Sequence, residues 1–466
     1  MAKKRKADMI DGEAILARLA AQPEPDSVRV REILAKAREL QGLDDADVLD
    51  LLQIEDPELL FEVFAASRRV KEDIYGNRIV YFAPLYVSNI CGNDCAYCAF
   101  RASNEGVARK ALSQDEVRRE TETLVGQGHK RILLVSGEAA GGDALDTVCE
   151  SIRTIYSVRT PRGNIRRVNV NVAPLDKEGF KRLAGEAIGT YQLFQETYHE
   201  PTYRDLHRTG PKADFRWRLE VMDRALSAGL HDVGIGVLFG LHDYRYEVMA
   251  LLSHIRHLER RFGVGPHTIS VPRMEPAAGS ELSRRPPAPV SDRDFMKIIA
   301  ALRLAVPYTG IILSTRESVA MRRSALDLGV SQISAGSRTD PGGYAAPAAG
   351  TAGQFELGDT RSLGAVVADV LDMGHIPSFC TGCYRKGRVG KDFMDLAKPG
   401  LIKRHCLPNA LLTFAEYLCD FADPELSRKG FDSIGSILDR DVPGRLREKV
   451  RGMLDRVRGG ERDLYL

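Results

Sequence analysis

The chain has 466 residues, 44% of them hydrophobic and 28% charged, too apolar for a disordered protein and long enough for more than one small domain. Its 66 basic and 64 acidic residues leave a formal charge of +2, which argues against a coat for nucleic acid or for an anionic membrane. No run of about 18 apolar residues occurs, and MAKKRKADMIDGEAIL turns acidic where a secretory signal needs an apolar core. A soluble, cytoplasmic protein is therefore expected, with Lys3, Lys4, Arg5 and Lys6 as a solvated tail.

Residues 1–75 read as helices (ILARLA, SVRVREILAKARELQ, ADVLDLLQ, PELLFEVFAASRRVKEDI). Eight strand-like runs rich in Val, Ile and Leu follow, at 79–90, 130–138, 166–175, 190–198, 232–241, 267–276, 310–318 and 331–339. Helical patterns separate them, at 114–128, 143–157, 176–187, 214–229, 243–262, 291–305 and 317–329, with a last one near 360–373. Ser113-x-x-Glu116, Ser291-x-x-Asp294 and Ser314-x-x-Glu317 are start signals. Eight β-then-α units with continuous apolar strands predict a closed (β/α)8 TIM-type barrel. An open doubly wound sheet fits less well, because Gly234-x-Gly236-x-x-x-Gly240 has the wrong spacing for a dinucleotide loop. The stretch 341–353 has loop composition. The expected organisation is a helical extension over 1–75, the barrel over 76–374 and a C-terminal extension over 375–466.

Eight cysteines are too few for a disulfide framework. Three stand at Cys91, Cys95 and Cys98, and three at Cys380, Cys383 and Cys406; Cys149 and Cys419, in helical patterns, read as small buried hydrophobes. Zinc prefers four ligands. The first triplet has no fourth Cys or His nearby, and three thiolates on a short loop suit a cubane iron-sulfur cluster with one iron left open. At the second triplet His405 keeps a Cys3His zinc site open. Barrel chemistry sits at the C-terminal strand ends. The first cysteine loop falls there, with Ser136-Gly137-Glu138, Asn169 and Asn171, Glu196, Arg273 and Glu275, Arg316, and Ser337 with Arg338.

CGNDCAYC, directly after the first strand, is similar to the CxxxCxxC loop of the radical S-adenosylmethionine (SAM) enzymes. YVSNICGNDCAYCAF, SGE, LFQETYHEPTY, GIGVLFGL and SAGSRT resemble the aromatic amino acid lyase branch of that family. FCTGCYRKGRVGKDFM and HCLPNALLTF, with Cys-x2-Cys-x22-Cys, resemble the tyrosine lyases that mature FeFe-hydrogenase; the thiazole-pathway tyrosine lyases lack this triplet. The resemblance runs from about residue 30 to the end.

The resemblance implies that Cys91, Cys95 and Cys98 bind a 4Fe-4S cluster whose open iron chelates SAM. Ser136, Gly137 and Glu138 would receive the SAM amino group, Asn171 belongs to the same cofactor set, Glu196 would lie near the ribose and Tyr97 near the adenine. Arg316 is the choice for the tyrosine carboxylate, against a solvent-facing helix arginine, with Ser337 and Glu196 as further catalytic candidates. Cys380, Cys383 and Cys406 would hold a second iron-sulfur cluster carrying an additional iron, with His267 as that iron's protein ligand and free cysteine as its organic ligand. The implied activity is cleavage of the tyrosine Cα–Cβ bond to p-cresol and dehydroglycine. Dehydroglycine would then yield CO and cyanide, collected as an Fe(CO)2(CN)-type unit. A low-potential electron donor and other hydrogenase maturation proteins are the implied partners. Rival readings are a 2-iminoacetate synthase serving thiazole formation, a radical SAM enzyme using its second cluster for electron or sulfur transfer, and a non-catalytic cluster carrier.

Overall fold

A computed structural model describes residues 9–139, 144–346 and 352–466. The basic tail lies outside these residues, as does part of the 341–353 stretch, whose residues 341–346 form turns. Four helices open the chain, Gly12–Ala21, Ser27–Ala37, Asp45–Gln53 and Pro57–Tyr75, and an aspartate caps each one (Asp11, Asp26, Asp44 and Asp56). A carboxylate at that position accepts the orphan N–H groups of the first turn and favours the positive end of the helix dipole. The fourth helix packs on Asp292–Ala305, and Lys71 and Ser67 donate to the Leu326 and Leu328 carbonyls of the barrel layer.

Eight parallel strands then close a barrel: β1 Arg78–Ser88, β2 Arg131–Ser136, β3 Arg167–Asn171, β4 Tyr191–Gln192, β5 Val233–Gly236, β6 Thr268–Ser270, β7 Gly310–Leu313 and β8 Gln332–Ser334. They pair in sequence order, and β1 closes the ring against β8 through Val80–Phe82 and against β2 through Ala83–Ser88. All eleven residues of β1 are buried, as expected for a strand covered on both faces. A ninth strand, β9 Ile376–Ser378, pairs with Arg78–Val80 and was not evident in the sequence. Helices Lys403–Phe421, Pro424–Asp441 and Gly444–Arg458 complete the C-terminal extension. The buried Arg166–Glu416 ion pair ties it to the barrel.

The predicted elements are all present, with three corrections. The 190–198 run forms only a two-residue ladder, Tyr191–Gln192; beyond it Glu196 takes φ +72°, the left-handed region, and meets Val237 in an isolated parallel bridge. The helix expected over 214–229 is two, Phe215–Leu219 and Val221–Ser227, because the Trp217 carbonyl accepts the Arg224 guanidinium instead of continuing the ladder. The helix expected at 317–329 begins at Val319, capped by Ser318 rather than by Ser314. Cys149 is buried as expected, but Cys419 is exposed on the outer face of the last turn of its helix.

Candidate active site

The Cys91–Cys98 loop leaves β1 at the C-terminal end of the barrel. Main-chain bonds stitch it to its surroundings: Gly92 N–H to the Glu138 carbonyl (2.9 Å), Ala96 N–H to Leu206 (3.0 Å) and Asp94 N–H to Thr209 (3.2 Å). Arg109 donates to four carbonyls of the loop and its flanks, those of Asn89, Phe100, Arg101 and Asn104. Tyr97 is held through its hydroxyl, 2.8 Å from His207 Nε2. The three thiols face a cavity of ≈ 190 Å³ in the barrel mouth. Burial pushes the Cys95 thiol up to about 12 and raises Cys98 as well. Thiols so desolvated ionise readily only opposite a positive charge, which suits ligands of an iron cluster.

The Ser136-Gly137-Glu138 turn lies on the same cavity wall. Gly137 is a close-approach position, since a Cβ there would collide with the Ile90 carbonyl. Glu138 accepts from Asn93 Nδ2 and from Arg218, each at 2.8 Å. Burial would raise this carboxyl, but Arg218 and Lys212 hold it below its ordinary value. Glu196 accepts the Lys212 ammonium at 2.6 Å and lies 3.5 Å from Arg218. Two buried carboxylates and two buried cations thus compensate one another around the cavity. Tyr97, Asn171, Glu196 and Arg316 all line it. The Arg316 guanidinium lies 3.2 Å above the Phe355 ring centroid. No carboxylate pairs with it among the described residues, so a guanidinium fork is left for a carboxylate entering the cavity. Beside it, burial pushes the Glu275 carboxyl up to about 7, with Glu317 adding to the rise and Arg316 opposing it.

Ser337 does not join them. It is buried away from the cavity wall, its hydroxyl without a partner among the described residues. Arg273 also turns away, to Glu317 and Asp292. Lys212, Arg218, Asn93 and Gln354 are wall or support residues that sequence reasoning missed. Lys212 and Arg218 sit in PKADFRWRLE, whose alternating basic residues read as the solvated face of a helix, and nothing in their spacing signals that they point inward.

The second triplet lies at the opposite end of the barrel. Cys380, Cys383 and Cys406 line a cavity of ≈ 50 Å³ with Arg78 and Arg131, which open β1 and β2, and with His267, which precedes β6. Cys406 is pulled down to about 7, chiefly by the Cys383 thiol that donates to it, with further help from Arg78; Cys383 is raised in turn. His267 meets the triplet through space, its Nε2 3.3 Å from the Tyr384 hydroxyl and its Nδ1 3.5 Å from Asp232. His405 does not line this cavity, so the histidine that accompanies the triplet is the one 116 residues before Cys383 rather than the neighbour of Cys406. Among the described residues no three His, Cys, Asp or Glu side chains converge on a single-ion site.

Residues 85–254 match the family model of the radical SAM superfamily, and residues 270–376 match that of the biotin and thiamin synthesis associated domain. The chain belongs to the radical SAM superfamily, whose members use a 4Fe-4S cluster with SAM. Within it, a 2-iminoacetate synthase of Salmonella typhimurium is 33% identical over 300 residues, 64% of this chain and 77% of that protein. A crystal structure of HydG, a maturase of the FeFe-hydrogenase, superposes with a TM-score of 0.95 at 48% identity, covering 99% of this chain and 100% of that one. HydG of Carboxydothermus hydrogenoformans gives 0.83 at 41%, covering 95% and 97%. Among the described residues no helix is long and apolar enough to cross a membrane.

Proposed function

We propose that the protein is a radical SAM tyrosine lyase. It cleaves the tyrosine Cα–Cβ bond to p-cresol and dehydroglycine, converts the latter to CO and cyanide, and assembles an Fe(CO)2(CN)-type unit for the H-cluster of FeFe-hydrogenase. One observation carries the reading: two three-cysteine sites face the two ends of one barrel, the upper beside the Arg316 guanidinium, which has no carboxylate partner among the described residues, the lower beside His267. The likeness to HydG over nearly the whole chain supports it. In this reading 1–75 is a helical support, 76–374 the catalytic barrel and 375–466 the auxiliary-cluster domain.

When bound, the cluster with SAM supplies one-electron cleavage of the sulfonium and hence hydrogen abstraction; the barrel supplies position and excludes water. Cys91, Cys95 and Cys98 would hold the cluster. Glu138, kept ionised by Arg218, would accept from the SAM ammonium, and Ser136, Gly137, Asn171, Tyr97 and Glu196 line the space available for the rest of that cofactor. Arg316 would receive the tyrosine carboxylate and so fix the orientation of the amino acid in the cavity. Buried polar side chains of the strands (Gln192, Thr268, Ser270, Gln332 and Ser334) lie among the barrel residues. Cys380, Cys383, Cys406 and His267 would hold the second cluster and its additional iron, with free cysteine completing it. A low-potential donor would reduce the upper cluster, and other maturation proteins would accept the product.

The Salmonella relative favours a second reading, a 2-iminoacetate synthase that stops at dehydroglycine. Product analysis separates the two. Anaerobically reconstituted protein given SAM, reductant and tyrosine is expected to form p-cresol together with cyanide and CO. Cresol without either diatomic product would select the second reading, and no deoxyadenosine at all would reject both.

A further inference from the structure

The sulfur of Cys98 accepts a hydrogen bond from the side-chain amide of Gln354, whose Nε2 lies 3.8 Å away. Gln354 comes from the segment after β8, more than 250 residues along the chain, and lines the same cavity. Its amide is fixed at both ends. The buried Tyr86 hydroxyl donates to Oε1 at 2.8 Å, which leaves the NH2 end for the sulfur. Its backbone is pinned by Gln354 N–H to the Thr339 carbonyl (3.0 Å) and by Ala99 N–H to the Gln354 carbonyl (3.4 Å). The reverse amide orientation would set Oε1 against a thiolate and remove the acceptor from Tyr86, so the observed one is the one an ionised Cys98 selects.

We infer that Gln354 is a positioning residue that tunes the reduction potential of the SAM-binding cluster through its hydrogen bond to Cys98, with Tyr86 holding the amide in its donating orientation. The inference rests on the reading of Cys91, Cys95 and Cys98 as cluster ligands. A donor to a ligating sulfur withdraws electron density and stabilises the reduced cluster. Removing it makes the cluster harder to reduce, without altering the three ligands.

The test is a redox titration of anaerobically reconstituted full-length protein, without SAM, followed by the electron paramagnetic resonance signal of the reduced upper cluster. Each protein carries Cys380→Ser and Cys383→Ser, so that a single cluster is read. Gln354→Leu is expected to lower the reduced-to-oxidised ratio at a fixed potential about tenfold, or about 59 mV for one electron. Gln354→Glu, isosteric but without the donor at neutral pH, is expected to lower it at least as far. Tyr86→Phe is expected to fall between these variants and the parent, since the amide is loosened but present. Iron and sulfide content report whether each variant still holds its cluster. An unchanged midpoint in cluster-loaded Gln354→Leu and Gln354→Glu overturns the inference. Failure of the parent to assemble a cluster would instead overturn the assignment of the three cysteines, a distinguishable result.

Discussion

The two ends of the barrel use the same donor set, three cysteines each, with different charged neighbours. At the upper end burial raises the Cys95 and Cys98 thiols, and the nearby cations Lys212 and Arg218 are already engaged by Glu196 and Glu138. At the lower end Arg78 opens β1 beside the triplet and helps to bring Cys406 down to about 7. Arg131 stands with it, its guanidinium donating to the Cys380 carbonyl at 2.8 Å. The difference teaches that the two sites gain their ligands in different ways. The upper loop is preorganised by main-chain bonds and waits for the charge of a cluster. The lower site is assembled by distant elements and carries its own positive field.

The comparison can be broken most sharply at the upper end. Cys91→Ala with Cys95→Ala is expected to abolish both p-cresol and deoxyadenosine while the lower cluster still binds, as read by iron content. Cresol formation by that variant would reject the assigned roles. Next, Cys380→Ser with Cys383→Ser is expected to spare p-cresol and remove protein-bound CO, detected by infrared absorption. Equal loss of both products would erase the division of labour between the ends.

Stability sharpens the contrast further. Arg218→Met leaves Glu138 and Glu196 partly uncompensated and should cost about 3–5 kcal/mol in chemical denaturation, as expected when one member of a buried ion network is removed. A change under about 1 kcal/mol would mean that solvent reaches these groups. Arg316→Gln should weaken tyrosine binding by about 2 kcal/mol, roughly thirtyfold, with the fold intact. Calorimetric titration showing parental affinity would move the carboxylate site elsewhere.

The smallest expected effect concerns pH. The Glu275 carboxyl titrates near 7 rather than near 4.5, so it is neutral below that value and negative above it. A negative Glu275 competes for Arg316 and repels the incoming carboxylate, so tyrosine affinity should fall severalfold as pH rises through about 7. Glu275→Gln should flatten that profile. An equally steep profile in the variant would assign the titration to another group.

Legibility followed locality. The strands, their number and the closure they imply were readable, because a covered parallel strand needs a continuous apolar run and eight such runs alternated with helices. The cysteine loop after β1 was readable because its ligands lie within eight residues of one another. Ser337 was misplaced because a position at a strand end does not say which way the next turn faces. Lys212, Arg218 and Gln354 were missed because each reaches the cavity from a segment whose own pattern looks like surface or loop. β9 is only three residues long, too short for any periodicity, and exists because the lower half of β1 had an open hydrogen-bonding edge.

From the order of residues alone come the barrel, the two cysteine triplets as candidate ligands and the family, since each depends on periodicity or on spacing along the chain. Folding alone decided that the triplets face opposite ends of one interior, and it brought His267 and Arg316, both expected on resemblance, beside the second and the first. These facts join residues more than a hundred positions apart, and only the closing of the sheet brings such distances down to a few ångströms.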